Sequence, residues 1–320
     1  MFGEGLWTRD AEQFAESSGM VSAIPHPRVR TEDGIVDELD AVLIAEGFVI
    51  GEGPRWHEGR LWFSDIFDGK IYSLREPGGL SVEVEVSRPS GLGWLPDDSL
   101  LVAILARETA NELCGPALLS RVDQQGVHVF AVADETNTSF NDMVVLPNGQ
   151  SYLNLYRGTR HGRDEIVLVE PSGEWRTVAQ GLFHPNGMAV TPDGRTLLVS
   201  ETHANRVSSF EIGQGGNLSN RRDFATGIAM PDGLCLDGEG AVWVGSLFAS
   251  EFLRIAVGGQ VTHRVRVPTP YWALAPMLGG PDRRTLYILA ADTTPPRAQT
   301  NDSHGYIYSV RVDVPGAGWP

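Results

Sequence analysis

Apolar and polar residues alternate along most of this chain in short runs, and clusters of Gly, Asn, Asp and Pro separate the runs. A period of two marks strands with one buried face, and Gly, Asn and Asp accept the positive φ that tight hairpin turns demand. Six stretches repeat one order: short apolar strand, turn, second apolar strand. They are GEGPRWHEGRLWFSD from Gly51, RPSGLGWLPDDSLLVA from Arg88, SFNDMVVLPNGQSYL from Ser139, HPNGMAVTPDGRTLLVSE from His184, MPDGLCLDGEGAVWVGS from Met230 and YWALAPMLGGPDRRTLYILA from Tyr271. One mark per repeat, taken at Glu52, Ser90, Asn141, Asn186, Asp232 and Trp272, gives intervals of 38, 51, 45, 46 and 40 residues. That period suits the four-stranded blades of a β-propeller, and six repeats imply six blades. Long helical patterns between the strands are absent, which argues against a parallel α/β design.

The outer strands follow the same alternation. DGKIYSLREPG, ALLSRVDQQGVHVFAV, DEIVLVEPSGEWRTVA, NRVSSFEIGQGGNLSNRRDFA and SEFLRIAVGGQVTHRVRV each pair two apolar–polar runs around a Gly-containing turn. The last repeat continues to GYIYSVRVDV and lacks a fourth strand, while AVLIAEGFVI at residues 41–50 precedes the first repeat without a partner. The economical solution is an all-β, six-bladed propeller whose ring is closed by this N-terminal strand in the last blade, leaving no open edge. The expected domain covers residues 39–320. Residues 1–38 form an extension in which TRDAEQFAES suits a short helix.

In a propeller the innermost strands line the axis, so the six marks should converge at one end of it. Asp and Asn beside Gly serve most often as turn formers; their agreement in position within the repeat favours a shared site. Glu52, Asn141, Asn186 and Asp232 offer two carboxylates and two amides, with no Cys or His among the marks. Oxygen-only donor sets suit hard cations, Ca²⁺ first, with Zn²⁺, Mg²⁺ and Mn²⁺ as the other candidates. A dication would also relieve the repulsion between Glu52 and Asp232.

Composition sets the surroundings. The 320 residues carry a formal charge of −16 and a sequence pI near 4.9, which disfavours nucleic acid and anionic membrane surfaces as partners. No apolar run is long enough to span a bilayer, and the N-terminus lacks the apolar core of a secretory signal. The two cysteines, Cys114 and Cys235, make no disulfide framework, and a reducing, cytoplasmic setting is the expectation.

GEGPRW, FND, HPNGMAVTPDGRTLLVSET and PDGLCLDGEGAVWV, in this order and at blade spacing, resemble the SMP-30/gluconolactonase/LRE-like family from about residue 45 to residue 312. The resemblance implies a divalent metal, often Ca²⁺, held by Glu52, Asn186 and Asp232, with Asn141 joining the metal or holding the substrate. It implies a lactonase acting on a small molecule, with the metal as Lewis acid and Asp232 as both ligand and general base. Asn141 would orient the substrate, and Asp142 is a second candidate for that role. An Arg that often stands two residues before this Asn in the family is here Ser139, which suggests a less polar ligand than a plain aldonolactone.

His184, two residues before Asn186, is a further candidate for the substrate site, although a solvent-facing loop histidine is the commoner case; His203 is expected to be structural, at the opposite end or the rim. Loops 104–119 and 154–165 are long enough to reach over the site. Tyr271, Trp272, Phe140, Met143 and Phe248 could give it an apolar wall, although such residues are more often core. Arg107 and Arg157 could bind a carboxylate, although exposed partners of acidic residues are the commoner case. The rival functions are a phosphotriester or organofluorophosphate hydrolase on the same metal, a non-catalytic propeller scaffold, and a metal-free strictosidine-synthase-like activity.

Overall fold

In the computed structural model, which describes residues 30–31, 34–76, 78–108, 113–133, 138–157, 164–294, 297 and 302–318, the six repeats form six antiparallel sheets. Their inner strands are Gly51–His57, Pro89–Trp94, Ser139–Val145, Pro185–Val190, Pro231–Leu236 and Trp272–Gly279. We number the blades 1 to 6 in that order. Each inner strand touches the inner strands of both neighbouring blades, and the last touches the first, so the ring is closed. No helix among the described residues is long and apolar enough to cross a membrane.

The inner strands are buried along almost their whole length, because a neighbouring blade covers each face. Sequence alternation is accordingly clearest in outer strands such as Leu80–Glu85, which lie nearer the solvent. Apolar clusters fill the gaps between blades. The largest joins Phe48, Phe63, Trp243, Phe252, Tyr287 and Ile307 across blades 5, 6 and 1.

Blade 6 contains Trp272–Gly279, Thr285–Asp292 and His304–Arg311, and its fourth strand is Val42–Phe48, antiparallel with Gly305 opposite Phe48. This is the closure that the unpartnered segment at 41–50 predicts. Asp65 secures the join to blade 1, its carboxylate accepting Val49 N at 2.7 Å and Ile50 N at 3.2 Å. Asp37–Leu39 adds a fifth strand to blade 5, parallel to Val261–Arg266, which the alternation pattern did not signal. The C-terminal stretch returns to the same region, with Gly238 N bonded to Pro315 O at 2.7 Å and Ala317 N to Leu236 O at 3.0 Å. The helix expected within TRDAEQFAES lies outside the described residues.

Glycine serves two distinct purposes in the repeats. In the Pro-Asp-Gly turn of blade 4, Gly194 has φ +69° and closes the hairpin, as the sequence implies. Gly187 and Gly233, which follow Asn186 and Asp232, lie inside strands instead. A Cβ on Gly187 would sit 2.5 Å from Leu234 N, and one on Gly233 would sit 2.3 Å from Ala275 Cβ. These glycines permit blades 4, 5 and 6 to touch backbone to backbone near the axis. Gly233→Ala is therefore expected to destabilise the protein by about 1–3 kcal/mol. Gly213→Ala, whose new methyl would find its nearest atom at 3.5 Å, should leave thermal melting almost unchanged. Equal melting shifts for the two variants would overturn this account.

Candidate active site

Every inner strand breaks register with its neighbour at the same place. The shifts fall between Glu52 and Arg55, Phe140 and Met143, Pro185 and Met188, Pro231 and Leu234, and Ala273 and Ala275, and opposite Pro89–Leu92 in blade 2. A bulge frees residues from the ladder and re-aims their side chains. The close contacts align the positions: Gly53 meets Gly91, Gly91 meets Asp142, Gly187 meets Gly233 and Gly233 meets Ala275. The equivalent residues just before them are Glu52, Ser90, Asn141, Asn186, Asp232 and Leu274.

The sixth mark is thus Leu274, where the sequence reading placed Trp272. Trp272 lies two residues earlier and packs with Ile50, Met230, Leu247 and Leu274, with Phe248 edge-on to its ring. Tyr271 is not its partner at the site, because its ring stacks on Tyr306 at 5.2 Å. Apolar Leu274 in strand-like surroundings gives a sequence reader nothing to choose it by.

Three of the six marks, Ser90, Asn141 and Asn186, are joined by a directed chain of hydrogen bonds. Ser90 Oγ donates to Asn141 Oδ1 at 2.6 Å, and Asn141 Nδ2 donates to Asn186 Oδ1 at 3.1 Å. Asn186 Nδ2 lies 3.5 Å from Thr202 Oγ1, which donates to Pro231 O at 2.8 Å. Thr202 gives its proton to a carbonyl, so it receives one from Asn186, and this fixes which way the amide points. Asn141 Nδ2 also donates to the Tyr156 hydroxyl at 2.8 Å.

The carboxylates are poorly supplied with donors. Asp142 is the exception. Its Oδ1 accepts from Arg55 Nη2 at 3.0 Å and from Met143 N at 2.7 Å, and the same guanidinium reaches the Met143 carbonyl. Arg55 belongs to blade 1 and Asp142 to blade 3, so the ion pair links two blades that are not neighbours in the ring. Among the described residues, Glu52, 8 % exposed, accepts only its neighbour Gly53 N at 3.3 Å. Asp232 is 0 % exposed, and among the described residues neither of its oxygens has a hydrogen-bond donor. Burial first, then the charge of Asp142, pushes the Glu52 carboxyl up to about 8. Burial, then Glu52 and Asp142, holds Asp232 well above the ordinary carboxylate range.

His184 is not the solvent-facing loop residue that its sequence context favours. It is buried, with φ +53°, and its N–H donates to Asp164 Oδ2 at 3.0 Å. Its ring lies between Tyr156 at 4.3 Å and His203 at 4.4 Å. His203 therefore belongs to the same end of the propeller as Asn186. Burial raises Asp164 to about 6. Arg88, His184 and Met230, each two residues before a mark, all have positive φ, a conformation that non-glycine residues keep only where the surroundings enforce it.

Phe140 and Met143 face the core between blades 2 and 3 rather than a ligand. Ser139 Oγ is engaged with Ala106 N at 2.9 Å and the Phe140 carbonyl at 3.0 Å. Arg157 grips Glu165 through Nε at 3.0 Å and Nη2 at 3.1 Å. Residues 109–112 and 158–163 of the two long loops, and the side chain of Arg107, lie outside the described residues. Sequence reasoning missed Tyr156, Thr202 and Arg55. Only Arg55, a cation inside the otherwise uncharged tail of GEGPRW, left a signal that could have been read.

Among the described residues, no three His, Cys, Asp or Glu side chains come together as a metal-ligand group. Any cation would be held by two carboxylates completed with amide oxygens. That donor set suits a hard ion. The two donor-less oxygens of buried Asp232 fit one as well, since a buried charge without partners is costly.

Comparison with known proteins places this geometry. The chain is 26% identical over 295 residues to the 6-deoxy-6-sulfogluconolactonase of Pseudomonas putida, covering 89% of this chain and 99% of that protein. It is 28% identical over 285 residues to pentonolactonase XacC of Haloferax volcanii, covering 85% and 93%. The crystal structure of a calcium-binding protein, regucalcin, from Agrobacterium tumefaciens superposes with a TM-score of 0.73 at 21% identity, covering 89% of this chain and 99% of that one. The SMP-30/Gluconolactonase/LRE-like region matches residues 50–292, and the chain belongs to that family.

Proposed function

We infer that this protein is a lactonase that hydrolyses the internal ester of a small sugar-type lactone with the help of one divalent cation, Ca²⁺ in first place. The observation that carries the cation is Asp232, fully buried with both oxygens lacking a donor, close enough to Glu52 for each charge to oppose the other. The lactone is supported by the two curated relatives, both named as sugar lactonases and matched over more than four fifths of this chain. Glu52, Asn186 and Asp232 would hold the cation, with Asn141 beside them. Bound there, it supplies a Lewis acid for the ester carbonyl.

The chain's own groups account for the rest. Asp232, ionised beside a bound cation and made more basic by its burial, would take the proton from an attacking water and return it to the departing alkoxide. The Ser90–Asn141–Asn186–Thr202 relay holds both amides in one orientation, so that no reorganisation is needed as charge develops. Arg55 keeps Asp142 paired, leaving that carboxylate an anchor for the strand bulge rather than a free base. The aromatic stack of Tyr156, His184 and His203 forms one wall.

Metal analysis of the purified protein and a lactone screen with and without chelator test this reading. Asp232→Ala should keep the fold, bind Ca²⁺ at least tenfold more weakly and lose more than about 99% of lactone turnover. Normal turnover by that variant, or hydrolysis of phosphotriesters but of no lactone, would reject it. Charge supplies a second test. Glu52 and Asp232 have folded pKa values above the unfolded range near 4, so without a cation their contribution is full below that range and is lost as pH rises toward 8. In chelator, the melting temperature should fall by several degrees between pH 5.5 and 8.5. Glu52→Gln should reduce the fall, and excess Ca²⁺ at pH 8.5 should reverse it. A chelated protein that melts alike at both pH values would count against the buried carboxylate pair.

A further inference from the structure

Asn141 is the residue whose motif position suggests contact with substrate, yet its donors are already spent. One hydrogen of Nδ2 goes to Asn186 Oδ1 and the other to the Tyr156 oxygen, while Oδ1 accepts from Ser90. The hydroxyl protons of the relay are placed as well: Ser90 gives its proton to Asn141 and Thr202 gives its own to the Pro231 carbonyl. Tyr156 differs. Its oxygen accepts from Asn141, and among the described residues its own proton has no acceptor. The residue is 5% exposed, and a donor buried without an acceptor is unfavourable unless a ligand completes it. The hydroxyl is bonded to Asn141, which also bonds Asn186, and it feels the charge of Asp164 first and then those of Asp232 and Asp142. Asp164 is engaged by the Arg157 and His184 N–H groups, so the ligand that completes the hydroxyl is one bound beside Asn141.

We propose that Tyr156 is a catalytic hydrogen-bond donor whose O–H donates to the carbonyl oxygen of the bound lactone. The inference rests on the lactonase reading and deepens it. Accepting an N–H from Asn141 polarises the phenol and strengthens its outgoing hydrogen bond, which favours an acceptor that gains negative charge during the reaction. The bond is therefore stronger in the tetrahedral state than with the resting ester, and its loss should appear in kcat rather than in KM. His184 fixes the direction: its ring stacks on Tyr156 at 4.3 Å, and its backbone is anchored by Asp164.

Tyr156→Phe removes the hydroxyl and keeps the ring and its stack. With the lactone that the parent protein hydrolyses fastest, kcat should fall about 100-fold, as for removal of one oxyanion donor. KM should stay within about threefold, and calorimetric Ca²⁺ affinity should match the parent. A kcat within threefold of the parent overturns the inference. So does a rise in KM alone, which would make Tyr156 a ground-state contact. A loss of rate with an equal loss of Ca²⁺ affinity also overturns it, because Tyr156 would then only be holding Asn141. A parent protein that hydrolyses no lactone sinks the functional reading and this inference together, whereas active Tyr156→Phe beside inactive Asp232→Ala sinks this inference alone.

Discussion

Six strands can meet around one axis only if their backbones approach to contact distance, and this constraint shapes everything else in the molecule. At Gly53, Gly91, Gly187 and Gly233 there is no room for a side chain, because the next blade's backbone occupies the place where it would go. The same approach leaves no room for a regular ladder, so each inner strand slips register there. The slip turns the preceding side chain out of the sheet. Packing and chemistry thus share one origin, and Glu52, Asn141, Asn186 and Asp232 are brought together by the geometry that closes the ring.

The price of that convergence is electrostatic, and the surrounding residues divide the burden unevenly. Asp142 receives a guanidinium and a backbone N–H. The two amides satisfy each other through a relay that begins at Ser90 and ends at the Pro231 carbonyl. Glu52 and Asp232 receive almost nothing. Among the described residues, the contrast between these paired neighbours and the two bare carboxylates is what supports the proposed cation. The relay adds rigidity, since turning over either amide would leave a neighbouring group without its partner.

Much of the architecture was legible because it depends on local chemistry. The hairpin turns announce themselves through Pro-Asp-Gly, and Val42–Phe48 could be assigned to the last blade because every other strand already had a partner. Glu52, Ser90, Asn186 and Asp232 could be aligned because each precedes a glycine in a repeated frame, and Asn141 followed from the spacing of the repeats. What failed was whatever depends on neighbours distant in sequence. Trp272 drew the eye by size, but the register of blade 6 puts Leu274 in the ring. His184 looked like a loop residue because nothing local shows that Tyr156 and His203 enclose its ring. Tyr156 reads as an ordinary apolar strand residue, and only the position of Asn141 gives its hydroxyl a role. Asp37–Leu39 is too short to alternate, and its pairing with blade 5 is visible only in space.

The pairing of Val42–Phe48 with His304–Arg311 joins segments far apart in sequence within one sheet. During synthesis the first of these strands leaves the ribosome long before its partner exists, and it must wait unpaired while five blades assemble. Contacts between such distant segments slow folding, because the chain entropy of a long loop is surrendered before the contact forms. Val42 and Leu43 remain solvent-exposed even in the finished blade. Until His304–Arg311 is made, this strand has an open edge that another copy of the chain could pair with.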